Sequence, residues 1–201
     1  MVFMQSILTW ENLAVALAIA YLLFAMRENS LCWYAAFIST AIYTVLFWNV
    51  SLMMESGLNV YYMAMAGYGW WQWQKGGEQH KGIAIKSWRL QTHLLAIAVI
   101  LLATTISGWL LSNNTQASWP YLDSFTTWAS VFTTWMVAKK VLENWLYWIV
   151  IDATTVILYM DKEFYSSAAL YSAYVVMVVC GYIAWRKQYQ SQTKPLAPAH
   201  A

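Results

Sequence analysis

Charged side chains make up only 10% of these 201 residues, while 61% are hydrophobic. So little charge cannot clothe a soluble domain of this length, and the composition excludes one. Cysteine is nearly absent, with 2 in the chain. Cys32 and Cys180 fall near helix ends on one side of a membrane, so they read as free thiols and not as a disulfide framework. The opening MVFMQSILTW has no Lys or Arg and no small-residue cleavage site, so no removable signal peptide is expected. There is no HExxH zinc pair, no Ser/His/Asp set at a common depth and no phosphate-cradling glycine loop. A seven-helix retinal pigment would need a lysine between Phe164 and Trp185 for its Schiff base, and that stretch has none. The 10 methionines follow no metal spacing. The reading is therefore not an enzyme, with no metal, no cofactor and no nucleic-acid partner.

What is present is a series of seven apolar stretches, each near the roughly 20 residues that cross a bilayer. They run Thr9–Met26, Leu31–Met54, Gly57–Gln74, Gln91–Ser112, Tyr121–Ala138, Glu143–Met160 and Phe164–Trp185. The expected fold is all-α, a polytopic membrane domain over residues 1–185, followed by a polar, disordered cytoplasmic tail over 186–201. Of the 11 Lys and Arg, only Lys162 falls outside the odd-numbered connections and the tail. The positive-inside rule then places the C-terminus in the cytoplasm and the N-terminus outside.

The chain also repeats. Shifted by 115 residues, Glu28-Asn29, Leu31 and Trp33 fall on Glu143-Asn144, Leu146 and Trp148. A shift of 114 lays Met63, Gly67, Tyr68 and Trp71 on Met177, Gly181, Tyr182 and Trp185. Repeat one spans about 9–75, repeat two about 120–185, and the helix over 91–112 is an unmatched linker. Three helices plus one linking helix give two copies in the same orientation, the parallel 3+1+3 arrangement of SWEET-like transporters, whose substrate sites lie near the midplane at the repeat interface. At this offset the counterpart of Asp152 is Phe37.

Asp152 interrupts the apolar run WLYWIVIDATTVILYM. A carboxylate at that depth costs a few kcal/mol and faces a partner, a cavity or a substrate path. Trp148 and Trp145 precede it by four and seven residues, so the three share one helix face. Two indoles and an anion on one stripe suit a flat organic cation. The alternative for Asp152 is a structural hydrogen bond to a neighbouring helix, and for Trp145 an interfacial anchor. Asn59, Tyr62, Ala66 and Trp70 share a face of the third stretch, where Asn59 offers both donor and acceptor. Gly67 and Gly69 permit close helix approach. Trp71 and Trp73 read as interfacial belt, Asp123 as a helix cap and His93 as interfacial.

The segments DSFTTWASVFTTWMVAKKVLENWLYWIVID (123–152) and YYMAMAGYGWWQW (61–73) resemble the core signature of the PnuC family of bacterial vitamin transporters. The resemblance covers the whole seven-helix core. It implies a SWEET-like fold, a homotrimer in the inner membrane with a periplasmic N-terminus, and facilitated diffusion made one-way by a cytoplasmic kinase that phosphorylates the imported vitamin. It assigns a ligand-binding role to Trp145 and Trp148. In the family's nicotinamide riboside carriers an Asn follows four residues after the second Trp, and a Gln lies nine before the Tyr of YGW. This sequence has Asp152 and Asn59 there. A carboxylate suits either cationic vitamin, and the resemblance includes thiamine-carrying members, so thiamine is the expected substrate, with nicotinamide riboside the alternative; further alternatives are riboflavin or another vitamin, a sugar uniporter, or a non-transporting scaffold.

Overall fold

The computed structural model describes residues 2–49, 53–77, 80–115, 118–161 and 163–193. Seven helices account for most of them: α1 (Val2–Met26), α2 (Leu31–Asn49), α3 (Met53–Lys75), α4 (Leu90–Asn114), α5 (Pro120–Ala138), α6 (Asn144–Asp161) and α7 (Tyr165–Thr193). Among the described residues the only extended pairing is an isolated bridge between Lys86 and Val141. Four helices contain stretches long and apolar enough to span a bilayer: Thr9–Met26, Leu31–Asn49, Leu90–Asn114 and Ser167–Thr193. The other three are more polar, with Asn59 on α3, a run of Ser and Thr on α5, and Asp152 on α6.

Six helices close into a ring. α1 packs on α2, α2 on α3, α3 on α5, α5 on α6, α6 on α7, and α7 returns to α1. α4 lies outside, its backbone against α5 and the His93 ring hydrogen-bonded to the Tyr147 hydroxyl on α6 at 3.0 Å. The three polar helices are consecutive in the ring, so polar groups that lipid would penalise can face inward.

The helix ends and turns of the two halves correspond at an offset of 112. α1 and α5 end at Met26 and Ala138, α2 and α6 at Asn49 and Asp161, and α3 and α7 begin at Met53 and Tyr165. The turns match bond for bond: the Glu28 and Lys140 amides donate to Ala25 O and Val137 O, and those of Asn29 and Val141 to Phe24 O and Met136 O. Glu28 (φ 52°) and Lys140 (φ 49°) both adopt the left-handed conformation, which costs a non-glycine residue about 1–2 kcal/mol. The 115 match placed Trp33 opposite Trp148. In the fold its counterpart is Trp145, because each ring fills the space left by a glycine of the third helix in its repeat, Trp33 over Gly69 and Trp145 over Gly181. Gly67, which the sequence also marked for close approach, has nothing near it.

The seven expected stretches all appear as helices, but α1 begins at Val2 and not Thr9, and α2 ends at Asn49 and not Met54. The tail differs: residues 186–193 continue α7, since Arg, Lys and Gln are good helix formers and extending a formed helix adds a hydrogen bond per residue. The rest of the expected disordered tail, 194–201, lies outside the described residues.

Candidate functional site

Asp152 is the ninth of the 18 residues of α6, and only 5% of it is exposed. No described residue hydrogen-bonds or ion-pairs with its carboxylate. Its electrostatic neighbours are the phenols of Tyr171 and Tyr174 on α7. Those two rings meet edge to face, with centroids 5.6 Å apart, and Tyr171 also packs on Tyr159 at 5.5 Å. Tyr171 is in turn within electrostatic reach of Tyr62 on α3, which lies across the ring and not beside α7. Tyr62 reaches Tyr21 on α1, and Tyr174 reaches Tyr43 on α2. The phenols of four helices and one carboxylate therefore converge inside the ring. Tyr62 and Tyr174 are repeat mates at the 112 offset, whereas Asp152 is matched by Thr40, whose hydroxyl is spent on its own helix at Ala36 O, 2.8 Å. The scaffold is duplicated and the charge is not.

The sequence-predicted residues separate into two groups. Asp152 and Tyr62 are both within electrostatic reach of Tyr171. Trp148, half-buried one turn before Asp152, packs against the main core and against the smaller cluster of Ile100, Ala129 and Ile151. The remaining three have other surroundings. Trp145 is 2% exposed and wedged between Gly181 and the ring of Trp185, at 5.4 Å. Its faces are taken up by packing, because the glycine lets α7 close on it. The Asn59 amide donates to Glu55 O in the preceding turn, 2.8 Å. Trp70 stands two turns beyond Tyr62 and packs on Tyr34, with the Lys75 ammonium 5.9 Å from its ring. Asp123 lies in the first turn of α5, whose N-cap is Trp119, and His93 is bonded to Tyr147.

Tyr171, Tyr174, Tyr21 and Tyr43 were not singled out from the sequence. The signal was the i, i+3 spacing of Tyr171 and Tyr174 in an apolar helix, together with the Tyr62–Tyr174 match, which the 114 offset hides.

The arrangement sets phenol groups and one buried carboxylate within electrostatic reach of one another. It offers no nucleophile and base in hydrogen-bonding contact, and no group of three His, Cys, Asp or Glu among the described residues could hold a metal.

Comparison with known proteins agrees with this arrangement. The riboflavin/roseoflavin transporter RibM of Streptomyces davaonensis is 23% identical, over 98% of this chain and 95% of that protein. The nicotinamide riboside transporter PnuC of Escherichia coli is 19% identical, over 80% of this chain and 78% of that one. The crystal structure of the vitamin B3 transporter PnuC superposes with a TM-score of 0.72 at 21% identity, covering 92% of this chain and 83% of the other. The profile of the nicotinamide mononucleotide transporters matches residues 8–187, and the chain belongs to that family of membrane-spanning vitamin transporters.

Proposed function

We propose that the chain carries a permanently cationic aromatic vitamin, thiamine, across a bacterial inner membrane by facilitated diffusion. The observation that supports this most directly is the carboxylate of Asp152, buried at the midpoint of α6 with no partner among the described residues. An anion left alone at that depth is tolerated where a cation can meet it. The thiazolium of thiamine supplies a fixed charge that no change of pH removes. Trp148 offers a ring face to that cation, while the phenols of Tyr62, Tyr171 and Tyr174 bond the aminopyrimidine edge. Asn59, Trp145 and Trp70 act around the pocket: Trp145 sets the position of α6 against α7, and Asn59 and Trp70 line the approaches along α3.

The Lys-rich end of the ring, with Arg27, Lys75, Lys139 and Lys140, faces the cytoplasm in this reading. The N-terminus is then periplasmic. Three copies assemble in the membrane, and a cytoplasmic kinase traps the imported vitamin as its phosphate.

Nicotinamide riboside is the second reading. It is favoured by the likeness to the Escherichia coli carrier and by the pyridinium charge, which Asp152 would meet equally well. Riboflavin, the ligand in the name of the Streptomyces relative, is neutral and leaves the carboxylate unpaired. A thermal-shift panel on purified protein separates these. Thiamine is expected to raise the melting temperature, by about 2.7 kcal/mol of stabilisation at a hundred times its dissociation constant. A shift with riboflavin or glucose and none with either cation would defeat the proposal.

A further inference from the structure

We propose that Glu28 and Lys140 form the latch that keeps the two repeats shut at the Lys-rich end of the ring, and that this ion pair parts each time the carrier opens there. The inference rests on the chain being a transporter, and not on which vitamin it carries.

The two residues are repeat mates, each the left-handed residue that follows its helix, α1 or α5. Lys140 Nζ lies 2.8 Å from Glu28 Oε2, with side-chain exposures of 10% and 9%. The pair therefore sits on the axis that relates the repeats, where nothing but the two halves' mutual approach holds it together. Around it the seal is reciprocal. The Trp73 indole N–H donates to Val137 O at 3.2 Å, and its mate Trp185 donates to Ala25 O at 2.9 Å. Each repeat thus caps a carbonyl at the end of the other's first helix. The rings of Trp73 and Trp185 touch at 5.9 Å, and the Lys140 ammonium stands 4.7 Å from the Trp73 ring. Asp152 lies eight residues beyond the start of α6, about 12 Å along its axis. Ala25, Val137 and Trp185 are fully or almost fully buried, so this end of the ring is plugged beneath the candidate pocket.

The chemistry of the pair suits a contact that must open. Glu28 Oε2 accepts a hydrogen bond from the Lys140 ammonium, while Oε1 is buried without a hydrogen-bond partner. A buried ion pair gives back in desolvation much of what it gains in attraction. When the repeats separate and water enters, both charges recover hydration, so the closed and open states stay close in free energy. An all-apolar plug would gain nothing from water and would favour one state. The same pair also justifies two left-handed non-glycine residues, because a glycine at either place would carry no charge.

Cys32 reports on the latch. It is fully buried and within electrostatic reach of Lys140, whereas Cys180 is exposed on α7. In lipid nanodiscs without any vitamin, the rate at which a water-soluble maleimide alkylates Cys32 is followed by mass spectrometry, which separates the two thiols. Glu28→Gln and Lys140→Met are each expected to speed labelling of Cys32 about tenfold, since weakening a closed state raises the open fraction in proportion. The exchanged pair, Glu28→Lys with Lys140→Glu, is expected to bring the rate back toward the parent. Should the neutral variants fail to fold, Glu28→Asp keeps the charge and shortens the arm, and is expected to speed labelling severalfold. Cys32 labelling at the parent rate in a folded single variant would overturn the latch, as would faster labelling that the exchanged pair leaves uncorrected. Because no vitamin enters the assay, a wrong substrate assignment leaves this result standing, and the reverse holds too.

Discussion

At the scale of one side chain, the proposed pocket sets stability against binding at Asp152, and the conflict can be measured. Its charge costs the folded chain roughly 3 kcal/mol at the bilayer centre, and no described residue offsets that. Asp152→Asn keeps the shape and removes the charge. Thiamine affinity is expected to fall at least about tenfold, a loss of about 1.4 kcal/mol, while the melting temperature without ligand holds or rises. Calorimetric titration and a melting curve on the same preparation read both. A structural Asp152 would give the opposite pattern, with lower stability and unchanged affinity. This residue was legible in the sequence because a lone carboxylate in an apolar run has few innocent explanations. Its tyrosine neighbours were not, because membrane helices carry Tyr at interfaces as a matter of course and only the ring closure of six helices brings Tyr62, Tyr171 and Tyr174 together. Trp145 shows the converse. Its place on the Asp152 face was readable, but its packing against Gly181 depends on a helix 20 or more residues away in sequence.

Between elements, the approach of helices inside each repeat depends on one glycine apiece. A Cβ added at Gly69 would run into the ring of Trp33, which is itself buried against Trp73 with centroids 5.3 Å apart. The ring cannot swing aside without losing that edge-to-face contact. Gly69→Ala is therefore expected to destabilise by about 1–3 kcal/mol, as overpacking does. Two residues earlier on the same helix, Gly67→Ala meets nothing within 4 Å and should be neutral or mildly stabilising through helix propensity. Melting temperatures of the two variants side by side test the claim, and equal losses would refute it. The sequence showed both glycines and could not rank them. The same limit produced the 115 offset: long apolar runs fix where helices lie to within a few residues, but they are rich in repeated residue types and slide against one another with little penalty. Register became visible only through contacts such as Trp33 over Gly69 and Trp145 over Gly181, which involve residues far apart in the chain.

For the molecule as a whole, the asymmetry of charge on a symmetric scaffold has an energetic consequence. A carrier whose pocket holds one carboxylate and one permanently cationic ligand moves across the field as a nearly neutral complex, then returns empty with the carboxylate charged. The cycle therefore translocates one net positive charge, whichever half-cycle bears it. An elementary charge moved through 100 mV is worth about 2.3 kcal/mol, enough at equilibrium for about a 50-fold gradient of the cation. In proteoliposomes with the proton and sodium gradients collapsed, downhill thiamine uptake should persist. Imposing an inside-negative potential with a potassium ionophore should then drive accumulation toward that ratio. Uptake that is indifferent to the potential would mean that a proton leaves Asp152 in exchange for the vitamin, making the cycle electroneutral. Uptake that vanishes with the ion gradients would mean obligatory coupling. The Asp152→Asn variant separates the two cases from simple carriage: with no titratable group in the pocket, residual transport must remain potential-driven, because the only charge left to move is the ligand's own.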